Sequence, residues 1–140
     1  MTWRETYRRN GYFFHIAGLV TIASGFFLHL SRVFFGDQLL LEHLLNPTSD
    51  QVLLVPMTYA AITGIMVWNR VEFVNTPQKV LFRIVVIYTA ASVPLHGYVS
   101  VIYGDVRPYV DFFPMWFSYL LFVPYTAFLV LFSTLRYKKD

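Results

Sequence analysis

Residues 13–30, FFHIAGLVTIASGFFLHL, form an apolar run without a single charged side chain, yet they hold two histidines, His15 and His29. Fourteen residues make about four helical turns, so on a helix both rings point the same way, about 21 Å apart along the axis. Extended to Tyr12 and Phe35, the run covers about 24 residues, and a helix needs about 20 to cross a hydrocarbon core. It is longer than the apolar core of a signal peptide and continues into Arg32 without a small-residue cleavage site, so it reads as a membrane span.

The rest of the chain supports that reading. Of its 140 residues 56% are hydrophobic, 19% aromatic and 14% charged, where a soluble domain carries about 25% charged residues. Mean hydropathy is +0.51, and there is too little polar surface to wrap such a core in water. Cysteine is absent, which excludes disulfides, thiolate metal sites and thiol catalysis. The isoelectric point near 9.3 does not imply nucleic acid, because the basic residues sit at segment ends rather than on one patch.

Four apolar segments are predicted to span, at about 12–35, 52–68, 80–103 and 112–135, with the second the shortest. Four crossings put Arg4, Arg8, Arg9, Arg70, Lys79, Arg83, Arg136, Lys138 and Lys139 on one side with Glu5, Glu72 and Asp140. The other side holds Arg32 and Arg107 against Asp37, Glu42, Asp50, Asp105 and Asp111. The positive-inside rule then places both termini inside, in the cytoplasm or its organellar equivalent. Aromatic residues collect near the expected interfaces, among them Tyr12, Phe13, Phe14, Trp68, Tyr103, Tyr109, Phe112, Phe113 and Trp116. Outer residues 37–46 read as a short amphipathic helix lying on the membrane surface, ended by Asn46-Pro47, and Pro114 suits the first turn of the last helix. GDVRPYVD reads as a tight turn with an Asp105–Arg107 pair. With short loops, the expected fold is a single all-α integral membrane domain over 1–140, an up-down-up-down four-helix bundle.

Polar residues in such helices usually face the bundle interior. On the first helix His15, Gly18, Thr21, Gly25 and His29 form one stripe that Arg32 continues outward, with Ile22 inside the same arc. The third helix carries Tyr88, Ser92, His96 and Tyr103, and Pro94 is expected to loosen it beside His96. Tyr119, Tyr125 and Thr126 are the polar groups of the fourth. His29 and His96 lie about 9 and 10.5 Å from the outer ends of their spans, at similar depth.

Three readings follow. In the first, His29 and His96 ligate the iron of a b-type haem, Gly25 makes room for the macrocycle and Arg32 meets a propionate. The fourteen-residue histidine pair within residues 13–32 resembles that of di-haem b-type cytochromes, and four-helix cytochrome b subunits of respiratory enzymes have a similar layout. That resemblance implies electron transport. It departs from the pattern at His15, which has no histidine partner on a second helix; Met66 is the one candidate opposite it. In the second reading the histidines, with Tyr88, Ser92 and Tyr103, hydrogen-bond a quinone or another lipid-soluble compound. Transport ranks below these, because no Asp or Glu falls inside a predicted span. In the third, the stripes serve helix packing, and the chain is an accessory or assembly subunit that meets other membrane subunits or its own copies. His43 is expected to be solvated, with a metal site shared with Glu42 or Asp50 as the minor alternative. No phosphate-binding loop, HExxH or nucleophile elbow occurs, so no stand-alone catalytic residue is assigned.

Overall fold

Thr2 starts the first helix by a reciprocal cap. Its Oγ1 accepts from the Glu5 amide at 3.3 Å, and the Glu5 carboxylate accepts from the Thr2 amide at 2.7 Å. Helix α1 then runs Trp3–Leu39, beginning well before the expected position 12, because the cap and a full polar turn precede the apolar run. The structure, a computed structural model, describes residues 2–137, without the side chains of 3, 4, 7, 8, 14, 39, 121, 122, 124, 125, 128, 132, 133 and 137. The expected roles of Arg4, Arg8, Phe14, Tyr125, Lys138, Lys139 and Asp140 therefore lie outside the described residues.

The chain is mostly helical. Helix α2 covers Pro47–Met66, α3 Thr76–Gly97, α4 Arg107–Phe112 and α5 Met115–Thr134. Among the described residues two stretches, Arg9–Gln38 and Thr76–Tyr103, are long and apolar enough to cross a membrane. α1 packs on α2 and α5, and α3 packs on α2 and on α5. One apolar core joins Ala17 and Ile22 of α1, Ala60 of α2, Phe82, Val85 and Val86 of α3, and Leu131 of α5. Two-residue strands β1 (Val71–Glu72) and β2 (Arg136–Tyr137) pair antiparallel, joining the α2–α3 connection to the end of α5.

Further boundaries differ from the sequence expectation for local reasons. Gly36, at φ +81° and ψ 173°, breaks α1, and the chain continues as a π-turn over Leu40–Leu44. Leu40 and Leu45 are buried against Val106 while Glu42 and His43 are exposed, so this segment turns its leucines onto the rest of the protein and its polar side chains outward. Asn46-Pro47 does end that segment, and it also starts the next. Asn46 Oδ1 accepts from the Ser49 amide at 2.9 Å while Ser49 Oγ accepts from the Asn46 amide at 3.0 Å, and Pro47 sits where a helix has no use for an N–H. α2 thus begins five residues before the expected 52, and Asp50 lies in its first turn. α3 begins at an Asn75 cap with Pro77 in its first turn. It gives way, three residues after Pro94, to a π-turn at Tyr98–Tyr103 that ends on left-handed Gly104. Asp105 Oδ1 caps the Arg107 amide at 2.9 Å, so GDVRPYVD holds the short helix α4 as well as a turn. Pro114 is the residue just before α5.

The two glycines Gly36 and Gly97 make a paired test. A Cβ at either meets nothing within 4 Å, so only the backbone decides. Gly36 occupies a region of φ and ψ that is essentially glycine's alone, and Gly36→Ala is expected to cost about 1–3 kcal/mol. Gly97 is helical at φ −61°, and Gly97→Ala is expected to stabilise by up to about 1 kcal/mol. Thermal unfolding in detergent reads both signs.

Candidate functional site

At the end of the protein where α2 starts and α3 finishes, residues from all five helices, α1 to α5, enclose a cavity of about 220 Å³. α1 contributes Thr21, Gly25, His29 and Arg32, and α3 contributes Tyr88, Ser92 and His96. Six of the sequence-predicted residues (His29, His96, Gly25, Arg32, Tyr88 and Ser92) therefore line one space. Two do not. His15 is half-buried elsewhere on α1, and Met66, exposed at the end of α2, takes a hydrogen bond from Asn10 Nδ2 at 3.7 Å. Tyr103 is also away from the cavity, 60% exposed in the π-turn. The remaining wall is apolar, with Ile22, Leu53, Met57, Phe113 and Phe117 among it.

Two hydrogen-bonded groups flank this space. The first centres on Arg32, whose side chain is buried. Its Nε donates to Asp37 Oδ1, five residues on. In an unbroken helix that spacing turns the two side chains away from each other, so the Gly36 break is what returns Asp37 to Arg32. Arg32 Nη1 also donates to Ser118 Oγ at 3.2 Å, and Ser118 Oγ lies 2.9 Å from His29 Nδ1. The Ser118 hydroxyl, with one hydrogen and two lone pairs, takes the Arg32 donor and still meets His29 Nδ1 in either of its tautomers.

The second group centres on Asp50, whose side chain is fully buried. Asp50 Oδ1 accepts from His96 Nδ1 at 2.6 Å, and Oδ2 accepts from the Tyr109 hydroxyl at 2.7 Å. Tyr109 Oη is also 2.9 Å from His96 Nδ1, and the two rings stack at a 4.9 Å centroid separation. Since the Tyr109 hydrogen goes to Asp50, both contacts at His96 Nδ1 are donated by the ring. His96 therefore carries its proton on Nδ1. Burial first, then the hydrogen bond to Asp50 and its charge, push the Tyr109 phenol well above its ordinary value near 10.

Asp50, Tyr109 and Ser118 were not among the sequence candidates for this site. Asp50 read as a loop residue because the apolar run begins at Val52; the Asn-Pro-x-Ser cap was the signal that α2 starts earlier. Its bond to His96 also means that a carboxylate does meet the polar stripe, and that Asp50 is engaged there instead of with His43. His43 is exposed, 4.0 Å from Glu42, and among the described residues no group of three metal-binding side chains occurs. Tyr109 read as an interfacial anchor. On α5, Tyr119 is exposed and its neighbour Ser118 is the buried polar group. The helix hydroxyls largely serve their own helices: Thr21 donates to Ala17 O at 2.8 Å, Thr89 to Val85 O at 2.8 Å and Ser92 to Tyr88 O at 2.7 Å. Toward an occupant Thr21 and Ser92 keep only acceptor capacity.

No known protein family matches this chain, and no curated protein or solved structure matches it.

Asp50→Ala removes the acceptor of two half-buried donors, at up to about 3 kcal/mol for each one left unpaired. A lower unfolding temperature in detergent is expected, with Asp111→Ala, at an exposed position, unchanged. The raised Tyr109 value carries a sign. The folded protein holds this proton more tightly than the unfolded chain, so the stabilisation is complete below about pH 10 and is lost as pH rises toward the folded value. Tyr109→Phe is expected to flatten the alkaline arm of a stability–pH profile.

Proposed function

We propose that this chain is a polytopic membrane protein with four spans, carried by α1, α2, α3 with its π-turn, and α5, and with both termini inside. We further propose that the cavity binds a lipid-soluble, single-ring compound of the quinone type, and that the protein acts in, or attached to, a membrane redox system. The observation that carries the ligand reading is that His29 and His96, from different helices, line one cavity with each Nδ1 engaged by another side chain. A hydrogen bond of this kind at one ring nitrogen orients the imidazole, and where the partner is the Asp50 carboxylate it also fixes which nitrogen carries the proton. The apolar wall suits a hydrophobic ring and the two polar groups suit its oxygens.

Size separates the two ligand classes. Drug-sized molecules occupy pockets of about 300–1,000 Å³. At about 220 Å³ the cavity matches a single-ring headgroup, and a porphyrin is too large for it without helix movement. The quinone-type ligand is thus the reading we retain. When bound, such a compound supplies two-electron, two-proton redox chemistry; the chain's own residues bind it, orient it and hold protons at named atoms.

The four-span reading draws support from the surface. Phe35 is 67% exposed, Ile102 75% and Phe112 79%, and many other large apolar residues are exposed on α1, α2, α3 and α5. Water-soluble monomers rarely expose contiguous apolar area on this scale, and lipid would cover it. The β1–β2 pair supports the even crossing number, since it brings the α2–α3 connection and the chain's C-terminal segment to one side. With α2 and α5 at 20 residues each, their length of about 30 Å matches a hydrocarbon core.

Because the chain lacks cysteine, single introduced cysteines report topology directly. Thr2→Cys and Asn75→Cys are expected to label only from inside, and Glu42→Cys and Asp105→Cys only from outside, with a membrane-impermeant maleimide on sealed vesicles. Co-purification of an isoprenoid quinone, lost in His96→Leu, tests the ligand. If both histidines can be replaced without loss of ligand, the accessory-subunit reading replaces this one.

A further inference from the structure

Resting on the proposed pocket, we infer that its His96 side selects the reduced, hydroxyl-bearing form of the ligand, and that Asp50 is the positioning residue that sets this preference through the tautomer of His96. The argument is one of hydrogen-bond polarity. Asp50 accepts from the Tyr109 hydroxyl and from His96 Nδ1, at 2.7 and 2.6 Å, and is itself fully shielded from solvent. Tyr109 has spent its one hydrogen on Asp50, so its 2.9 Å contact with His96 Nδ1 is a second bond donated by the ring. The imidazole proton is held on Nδ1 by two acceptors together.

A neutral imidazole with Nδ1 protonated carries a lone pair on Nε2 and no hydrogen there. Among the described residues His96 Nε2 has no hydrogen-bond partner, while the ring lines the cavity. An occupant that presents a hydroxyl to this atom completes it as an acceptor. One that presents a carbonyl sets lone pair against lone pair and leaves both groups unsatisfied in an apolar space. Groups left unpaired in this way lower affinity by about tenfold or more. Arg32, on the opposite flank, donates and is indifferent to the choice, since carbonyl and hydroxyl oxygens both accept. The asymmetry is therefore localised at His96.

The substitution Asp50→Asn reverses this polarity. The new amide oxygen still accepts from Tyr109, while the amide nitrogen donates toward His96 Nδ1 and drives the ring proton to Nε2. The backbone and volume are nearly unchanged.

The probes are tetramethyl-1,4-benzoquinone and tetramethylhydroquinone, of equal shape, titrated anaerobically into the detergent-solubilised full chain and followed by tryptophan fluorescence. The wild type is expected to bind the hydroquinone about tenfold more tightly. Tyr109→Phe, which keeps the Asp50–His96 bond, is expected to retain that order, and Asp50→Asn to abolish or invert it. In parallel, ¹⁵N-histidine NMR of the ligand-free protein is expected to show His96 protonated at Nδ1 in the wild type and at Nε2 in Asp50→Asn, a readout that a purely structural Asp50 would not move. Equal or tighter binding of the benzoquinone by the wild type, or His96 protonated at Nε2, overturns the inference and leaves the pocket standing. Binding of neither probe overturns the pocket and the inference together. If Asp50→Asn does not fold, the wild-type preference and the wild-type NMR still decide.

Discussion

The Asp50 carboxylate, fully buried and held by His96 and Tyr109, is the interaction on which the site depends. It joins three separate pieces of chain: the first turn of α2, the last turn of α3 and the short helix α4. An ionised carboxylate in an apolar setting is costly unless hydrogen bonds satisfy it, and here both oxygens are used. Those bonds cross between elements, so they fix the relative height of α2 and α3 and pin the α4 segment over the cavity. Gln51, the next residue, adds a bond from Nε2 to Ser100 O at 3.0 Å, tying the start of α2 to the π-turn as well. That turn leaves a carbonyl without its usual α-helical partner, and a side chain from α2 takes it up.

Arg32 answers Asp50 on the other flank of the cavity, and it too is held by a local break in helix geometry. Without the positive φ at Gly36, Asp37 would face away from Arg32; with it, cation and carboxylate meet within five residues. Ser118 Oγ then bridges Arg32 and His29, so α5 enters the site through this hydroxyl and the Phe117 ring beside it. The two flanks follow one pattern: a carboxylate brought in by an irregular or capped segment, a neighbour that it orients, and a histidine at the cavity wall. Their ring partners differ: His29 meets a serine hydroxyl, which can donate or accept, and His96 meets a carboxylate, which only accepts and so holds the ring proton on Nδ1. This difference gives the cavity a polarity that two chemically identical rings would otherwise lack.

Much of the α1 contribution was legible in the sequence, because a helix repeats its faces at a fixed period. Gly25, His29 and Arg32 fall on one stripe and do line the cavity, and the similar depth of His29 and His96 in their helices matches their shared space. What the period could not supply was the partner of each ring. Ser118 stands 89 residues from His29, and Asp50 stands 46 from His96. Hydropathy also hid Asp50, because a transfer scale treats a carboxylate as a break in a span even where hydrogen bonds make its burial tolerable. The cap at Asn46 carried the missing information in four residues, and it outweighs the hydropathy boundary since it names a physical partner for a helix amide. His15 shares the stripe with His29, and the rise of about 21 Å between them already sets it apart; accordingly it does not line this cavity.

The energetic balance bears on why such a site would persist in an apolar bundle. Replacing a buried ion pair, or both partners of a buried hydrogen bond, with well-packed hydrophobic residues is often neutral or stabilising, so packing alone gives no reason to retain Arg32 with Asp37, or Asp50 with His96 and Tyr109. Neither group sits in the continuous apolar core around Phe82, Val85 and Val86, where helix contact is densest in bulky side chains. Both lie at the far end, bordering a cavity, where filling the space with larger side chains would have been the simpler way to gain stability. A bundle that keeps polar groups and empty volume together at one level forgoes packing there. On the proposed topology that level is in the outer leaflet, near enough to the interface for the headgroup of a lipid-soluble ligand to enter from the bilayer while its tail stays in hydrocarbon.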